Sequence, residues 1–175
     1  NKIIFSDEFF YFFVKNSYIK NIMSQSNILR KIRYLRYPIS ENSKVSLFDF
    51  LFSKISVSYQ FSYIKNNGGL VPHVDSQRKY LSLLLYFPDD IEKEIEYGTT
   101  FWSSKRPNIS NTHINDVAQV NEFKNDSKVL FKSPFVANRL YGFNRNDFSW
   151  HTVEPLDVNR NYVRKSLNIN LVYKN

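Results

Sequence analysis

Three side chains with metal-ligand chemistry and one guanidinium define the most informative pattern in the sequence. His73 and Asp75 stand two apart in Gly69-Leu70-Val71-Pro72-His73-Val74-Asp75. His151 follows in Phe148-Ser149-Trp150-His151-Thr152-Val153, and Arg164 precedes Lys165 and Ser166. Two imidazoles and one carboxylate suit a first-row divalent ion and leave coordination positions open for exogenous ligands. A guanidinium just downstream is the group that grips a carboxylate through two parallel hydrogen bonds, as the far end of an oxo-acid co-substrate would require. With no cysteine in 175 residues, disulfides, thiolate metal sites and iron–sulfur ligation are excluded, and imidazole and carboxylate remain as ligands.

Such residues act together only if the chain brings them to one place. On an extended strand, residues two apart leave the same face, so His73 and Asp75 can reach one ion, whereas a helix would point them apart. The turn Asn66-Asn67-Gly68-Gly69 and Pro72 deliver this pair at a strand edge. His151 reads as strand, in phase with Val153. Beyond it Arg164, Ser166, Asn168 and Asn170 alternate with Leu167, Ile169 and Leu171, which is a polar pocket wall backed by core. The phase that joins Arg164 to Ser166 also favours Arg164 over Lys165 as the carboxylate anchor.

The rest of the chain supplies the elements. Ser6, Asp7 and Glu8 cap a first helix with a stripe of Phe9, Phe10, Phe13 and Val14. A second helix is expected over Tyr18 to Tyr34, ending before Pro38. Val45 to Ser53 fits helix or strand equally. From Ile55 the period changes to two: Ile55, Val57, Tyr59, Phe61 and Tyr63 alternate with small polar residues, giving a half-buried strand. Further strands are expected at Leu70 to Asp75, Tyr80 to Phe87, Gly98 to Ser103, Lys128 to Lys132, Val136 to Phe143, Phe148 to Glu154 and Lys165 to Tyr173. Short strands broken by Asn, Asp, Gly and Pro imply a jelly-roll sandwich or barrel. The polar stretch Lys105 to Ser127 reads as a long loop closing over the pocket mouth, with His113 as a solvated residue within it. A single domain over residues 1–175 follows, with helical support in 1–50 and the β core in 55–175.

Composition narrows the partners. The 16 Phe, 12 Tyr and 2 Trp fit strands and a walled pocket, although codon bias explains most of them, since Asn, Lys and Ile are abundant too. A net charge of +8 favours anionic partners, but the basic residues are scattered, and the run Arg30 to Arg36 reads as one solvated helix face. No apolar run approaches the roughly 18 residues of a membrane span, and no signal-peptide pattern opens the chain, so the expectation is a cytoplasmic protein without membrane attachment.

In this order the residues resemble the Fe(II)/2-oxoglutarate-dependent dioxygenase superfamily, and most closely its prolyl-4-hydroxylase-like branch. The resemblance covers roughly Ile55 to Tyr173. It rests on Tyr63 through Asp75, on Tyr97-Gly98-Thr99-Thr100-Phe101-Trp102, on Asn138-Arg139-Leu140-Tyr141-Gly142-Phe143, on Trp150-His151-Thr152-Val153-Glu154-Pro155 and on Arg164-Lys165-Ser166. It implies a mainly β, double-stranded β-helix (jelly-roll, cupin-like) core with N-terminal supporting helices. It further implies iron on His73, Asp75 and His151, and 2-oxoglutarate held by Arg164 with help from Ser166 and Tyr63, with ascorbate as an optional reductant. Trp102, Arg139 and Asn168 become candidates for the substrate pocket. One departure is that prolyl hydroxylases commonly carry Lys where this chain has Arg164, which weakens proline as the specific substrate. The implied activity is hydroxylation of a peptide or small molecule, with succinate and carbon dioxide formed. Two alternatives stand beside it: oxidative demethylation of nucleic acid, motivated by the positive charge, and a non-enzymatic metal-binding cupin-like domain, which the presence of Arg164 disfavours. Neither the prime substrate nor the oligomeric state is legible.

Overall fold

A computed structural model describes residues 55–65, 67–90, 94–108, 113–156 and 162–173. The expected N-terminal helices and the segment Val45 to Ser53 lie outside these residues. Among these described residues, eight strands form two antiparallel sheets. They are β1 (Ile55–Lys65), β2 (Leu70–His73), β3 (Lys79–Tyr86), β4 (Thr100–Ser103), β5 (Lys128–Lys132), β6 (Leu140–Asn144), β7 (His151–Val153) and β8 (Val163–Tyr173). One sheet runs β1-β8-β3-β6 and the other β2-β7-β4-β5. This is a mainly β, sandwich or jelly-roll-like architecture, as the strand spacing implied. No helix among the described residues is long and apolar enough to cross a membrane.

The first sheet explains its own sequence. β3 is central and covered on both faces, so Leu81-Ser82-Leu83-Leu84 reads as a nearly continuous apolar run. Val57, Leu81, Leu83, Leu167, Ile169 and Leu171 form a buried aliphatic cluster on one face. The register pairs Val57 with Leu171 and Tyr59 with Ile169, and then Leu83 with Ile169 on the other side of β8. Burying one such side chain contributes about 1.5–3 kcal/mol, so a slip of one residue, which would turn the whole set over, is strongly disfavoured. The half-buried pattern expected for β1 holds only for its first part, because Phe61 and Tyr63 are 62% and 65% exposed.

The opposite face carries the polar residues, stacked in rows that the register defines. Ser58, Asn170, Ser82 and Phe143 form one row. Gln60, Asn168, Leu84 and Tyr141 form the next, then Ser62, Ser166 and Tyr86, and finally Ile64 and Arg164. The second sheet lies over these rows and encloses a cavity of about 580 Å³.

Lys105 to Ser127 is not the structureless loop its composition suggested. It contains helix α1 (Val117–Asp126), capped by Asp116, whose side chain accepts a hydrogen bond from the Gln119 amide at 3.0 Å. Its Phe123 is wholly buried against Val74 and Trp150, which anchors the helix to the core. A mobile lid over the whole stretch does not fit that anchoring. Among the described residues of the stretch, only the segment around His113, tied to β2 by Ile114 N–H donating to the Pro72 carbonyl at 3.2 Å, borders the cavity.

Candidate metal centre and its cavity

β2 and β7 pair antiparallel with His73 directly opposite His151, so both rings leave the same face of the second sheet. Their centroids are 4.2 Å apart. β2 ends at His73, two residues short of the expectation, and Asp75 therefore lies just beyond the strand. Its backbone carbonyl accepts a hydrogen bond from Arg145 Nε at 3.1 Å, which holds the bend. The ligand atoms of His73, Asp75 and His151 all lie within 4.8 Å of one another.

The donor set is prepared for a cation. His73 Nδ1 lies 2.8 Å from the Val71 carbonyl, and His151 Nδ1 lies 3.0 Å from the Ser149 carbonyl. A carbonyl only accepts, so each neutral ring carries its proton on Nδ1 and presents the Nε2 lone pair. Burial, reinforced by His151, pushes His73 down to about 4 from its ordinary range. Burial lowers His151 as well. Both imidazoles are thus neutral near pH 7, the state a metal requires. Burial by itself raises Asp75, but the neighbouring Lys79 and His151 charges and the hydrogen bonds from Lys79 and Ser82 outweigh it, and the carboxyl falls below its usual range. Lys79 Nζ sits 2.7 Å from Oδ1, and Ser82 Oγ donates to Oδ2 at 2.5 Å.

Arg164 occupies the closed end of the same cavity and is 2% exposed. Its Nε donates to the Tyr97 carbonyl at 2.6 Å, and its guanidinium lies 5.1 Å from the Tyr86 ring and 4.9 Å from the Phe135 ring. Ser166 Oγ is a distant neighbour at 3.5 Å. Burial works against its charge. No carboxylate among the described residues pairs with it, although stripping an ion of water costs several kcal/mol. A hydroxyl network fixes this end. Tyr86 Oη donates to Thr99 Oγ1 at 2.9 Å and meets Ser133 Oγ at 2.7 Å, while the Thr99 amide donates to Ser133 Oγ at 2.9 Å. Gly98 permits this approach, because a Cβ there would stand 1.5 Å from the Ser133 carbonyl oxygen.

The structure sorts the remaining candidates. Ser166 and Asn168 line the cavity as strand phase required. Lys165 points outward to Asp89 at 2.8 Å, which leaves Arg164 as the cavity's guanidinium. Tyr63 does not reach the site: it pairs with Lys165 on the outer face, while its neighbours Gln60 and Ser62 face inward. Arg139 is exposed in the turn where Asn138 has φ 58° and lies away from the cavity. Trp102 is one residue out of phase. Phe101 pairs with His151, so Trp102 faces the other way, donates Nε1 to Thr152 Oγ1 at 3.0 Å and packs near Phe123 and Trp150.

Other cavity residues carried no sequence signal of function. Lys79 and Ser82 reach Asp75 only through the turn between β2 and β3. His113, expected to be free in solvent, is exposed but stacks on His73 with centroids 4.9 Å apart and rings 15° from parallel.

No protein-family model matches the chain, and no curated protein matches it. Among solved structures it is similar to a prolyl-4-hydroxylase from Pseudomonas putida, with 15% identity and a TM-score of 0.42, over 68% of this chain and 52% of that one. The chain thus spans about half the length of that hydroxylase. It is also similar to a chain from the disulfide-linked pili of Bacillus endospore appendages, with 9% identity and a TM-score of 0.29, over 69% of this chain and 88% of that one. At these TM-scores neither neighbour decides the fold or the function, and the weight falls on the geometry of the His73–Asp75–His151 centre and the cavity behind it.

Proposed function

We propose that the protein is an Fe(II)- and 2-oxoglutarate-dependent dioxygenase that hydroxylates a peptide or small-molecule substrate. The observation that carries this reading is the pairing, in one cavity, of a two-imidazole, one-carboxylate cluster with a buried guanidinium that has no carboxylate partner among the described residues. The donor set fits iron: two neutral Nε2 atoms and one carboxylate leave coordination positions for co-substrate and dioxygen. When bound, the iron and 2-oxoglutarate supply the oxidising chemistry, with succinate and carbon dioxide as co-products.

The chain's own residues position and shield. His73, Asp75 and His151 hold the metal, and the Val71 and Ser149 carbonyls fix their ring orientation. Arg164 receives the distal carboxylate of 2-oxoglutarate, and Ser166 and Asn168 line the path between it and the metal. Tyr86, Thr99 and Ser133 hold the closed end rigid. Phe143, centred 4.8 Å from the His151 ring, is an apolar wall that keeps water from that side of the centre.

A purely structural metal site would not need Arg164, which argues against a non-enzymatic cupin-like role. Oxidative demethylation of nucleic acid calls for a basic stripe at the mouth. Among the described residues the cavity is lined by only two cations, Arg164 at its closed end and Lys79, which make no stripe. The decisive experiment measures succinate formed from 2-oxoglutarate with and without Fe(II). Fe(II)-dependent succinate that disappears in His151→Ala and Arg164→Met supports the reading. No succinate from folded, iron-loaded protein refutes it.

A further inference from the structure

The cavity has a closed end and an open one. Arg164, Ser166 and Thr99 define the first, all 3% exposed or less, with the buried Tyr86 packed behind Arg164 and Thr99, whereas the exposed Gln60, Ser76 and His113 border the second. Asp75 is anchored to Ser82 and His151 packs on Phe143, so the metal cluster lies over the row of Ser58, Asn170, Ser82 and Phe143. Arg164 begins three rows away, about 20 Å along the backbone, and its long side chain reaches back over Tyr86. A co-substrate strung from the guanidinium to the cluster therefore fills the closed end and leaves the mouth to a second molecule.

Lys79 stands at that mouth. Its side chain is 21% exposed and lines the cavity beside the cluster, where it is the second cation after Arg164. Its contact is Asp75, the same carboxylate that the ion must use. With a divalent metal, Asp75, a dianionic co-substrate, Arg164, Lys79 and two neutral imidazoles in place, the filled centre keeps one net positive charge. Asp75 then serves two cations, and the ammonium is left short of negative charge. A second polar group waits in the same row: Asn170 is 2% exposed, lines the cavity, and its Oδ1 is buried with no hydrogen-bond partner among the described residues. Buried amides without partners are rare in folded proteins, and one at a cavity wall points to a polar ligand.

We propose that the prime substrate is a small carboxylate-bearing molecule whose carboxylate is bound by Lys79, with Asn170 bonding a second polar group of the same molecule. This rests on the dioxygenase reading and names the substrate class for that site. Lys79 is thereby a specificity-determining residue, while Arg164 is reserved for the co-substrate.

The test uses the full chain loaded with Mn(II) and N-oxalylglycine, a non-reactive stand-in for 2-oxoglutarate, and follows proton relaxation of added probes by NMR. The probes are matched acids and amides: N-acetylproline against N-acetylprolinamide, and N-acetylleucine against N-acetylleucinamide. Paramagnetic enhancement reports approach to the metal without turnover. The acids should be relaxed at concentrations at least about tenfold lower than the amides. Lys79→Gln should abolish that preference and Lys79→Arg should keep it, with N-oxalylglycine affinity showing that each variant retains its closed end. If wild-type protein treats acid and amide alike at millimolar concentration, whether both bind or neither does, the proposal is overturned. It is also overturned if Lys79→Gln keeps the preference. Failure of Mn(II) or N-oxalylglycine to bind wild-type protein instead brings down the dioxygenase reading, and this inference with it.

Discussion

Replacing Arg164 by Met separates what the guanidinium does for binding from what it does for stability. In the free protein the substitution removes the 2.6 Å bond to the Tyr97 carbonyl and the stacking over Tyr86 and Phe135. Losing a charged hydrogen bond costs about 1.5–3 kcal/mol, and each cation–π contact about 1 kcal/mol. Against this, a desolvated cation lacking a carboxylate partner is itself worth several kcal/mol of destabilisation, which Met of similar volume relieves. The opposing terms nearly cancel, so stability should change by no more than about 2 kcal/mol and Tm by a few degrees. Binding has no such compensation. Stranding the distal carboxylate of a co-substrate in a dry pocket should cost about 2–5 kcal/mol, or roughly thirty- to several-thousand-fold in Kd. Calorimetric titration of N-oxalylglycine into the Mn(II)-loaded variant, with a thermal melt alongside, reads both quantities. Lys165→Met is the internal control: its ammonium pairs with Asp89 at the surface, and affinity should stay within about threefold. An Arg164→Met protein with unchanged affinity, or a Lys165→Met protein that loses it, would refute the assignment of the closed end.

Three further outcomes follow from the same geometry. The metal-free protein should lose stability as pH falls from about 6.5 to 4: His73 titrates near 4 when folded and at its ordinary, higher value when unfolded, so the unfolded state binds the extra proton in that window. The contribution is fully present above the unfolded value and amounts to about 3 kcal/mol, which a series of urea midpoints would register; a flat profile contradicts it. Gly98→Ala should destabilise by about 3 kcal/mol or more and weaken N-oxalylglycine binding, because its Cβ would collide with the Ser133 backbone and displace the Tyr97 carbonyl that holds Arg164; a wild-type melt disproves this. Ser82→Ala should weaken metal binding about 10- to 100-fold with little change in fold, since it frees one oxygen of Asp75, and a metal titration with unchanged affinity would count against that role.

What the sequence disclosed divides according to the range over which each signal acts. The alternation of Arg164, Ser166, Asn168 and Asn170 with Leu167, Ile169 and Leu171 is local, and it correctly placed one face of β8 on the cavity and the other in the aliphatic cluster. Spacing likewise put His73 and Asp75 within reach of each other, even though the strand stops between them. Tyr63 shows the limit. Its phase within β1 matched the apolar residues Val57 and Tyr59, which spoke against the role that resemblance suggested, and the register with Lys165 settled it on the outer face. Trp102 failed for the same reason, by one residue of phase. Helix α1 was missed because its apolar content is low and Phe123 is its only buried residue, yet Asp116 followed by Gln119 at the third helical position was a legible start signal.

The residues that tune the site were invisible for a different reason. Lys79 lies four residues after Asp75, a spacing that joins two side chains on a helix or across a tight turn and separates them on a strand. Only the bend after His73 and the start of β3 bring its ammonium to the carboxylate. Tyr86, Thr99 and Ser133 come from three separate segments and converge through their hydroxyls, which no local periodicity encodes. The two ends of the cavity therefore differ in how they are built. The metal cluster is specified by two short motifs and a single strand pairing, so it survives modest errors of register elsewhere. The Arg164 end depends on a backbone approach of Gly98 to Ser133 that tolerates no added atom. On the proposed dioxygenase reading, a substitution there that spares the metal ligands should uncouple metal binding from co-substrate binding, whereas no substitution among the ligands should do the reverse, because the proposed co-substrate chelates the metal and needs both ends at once.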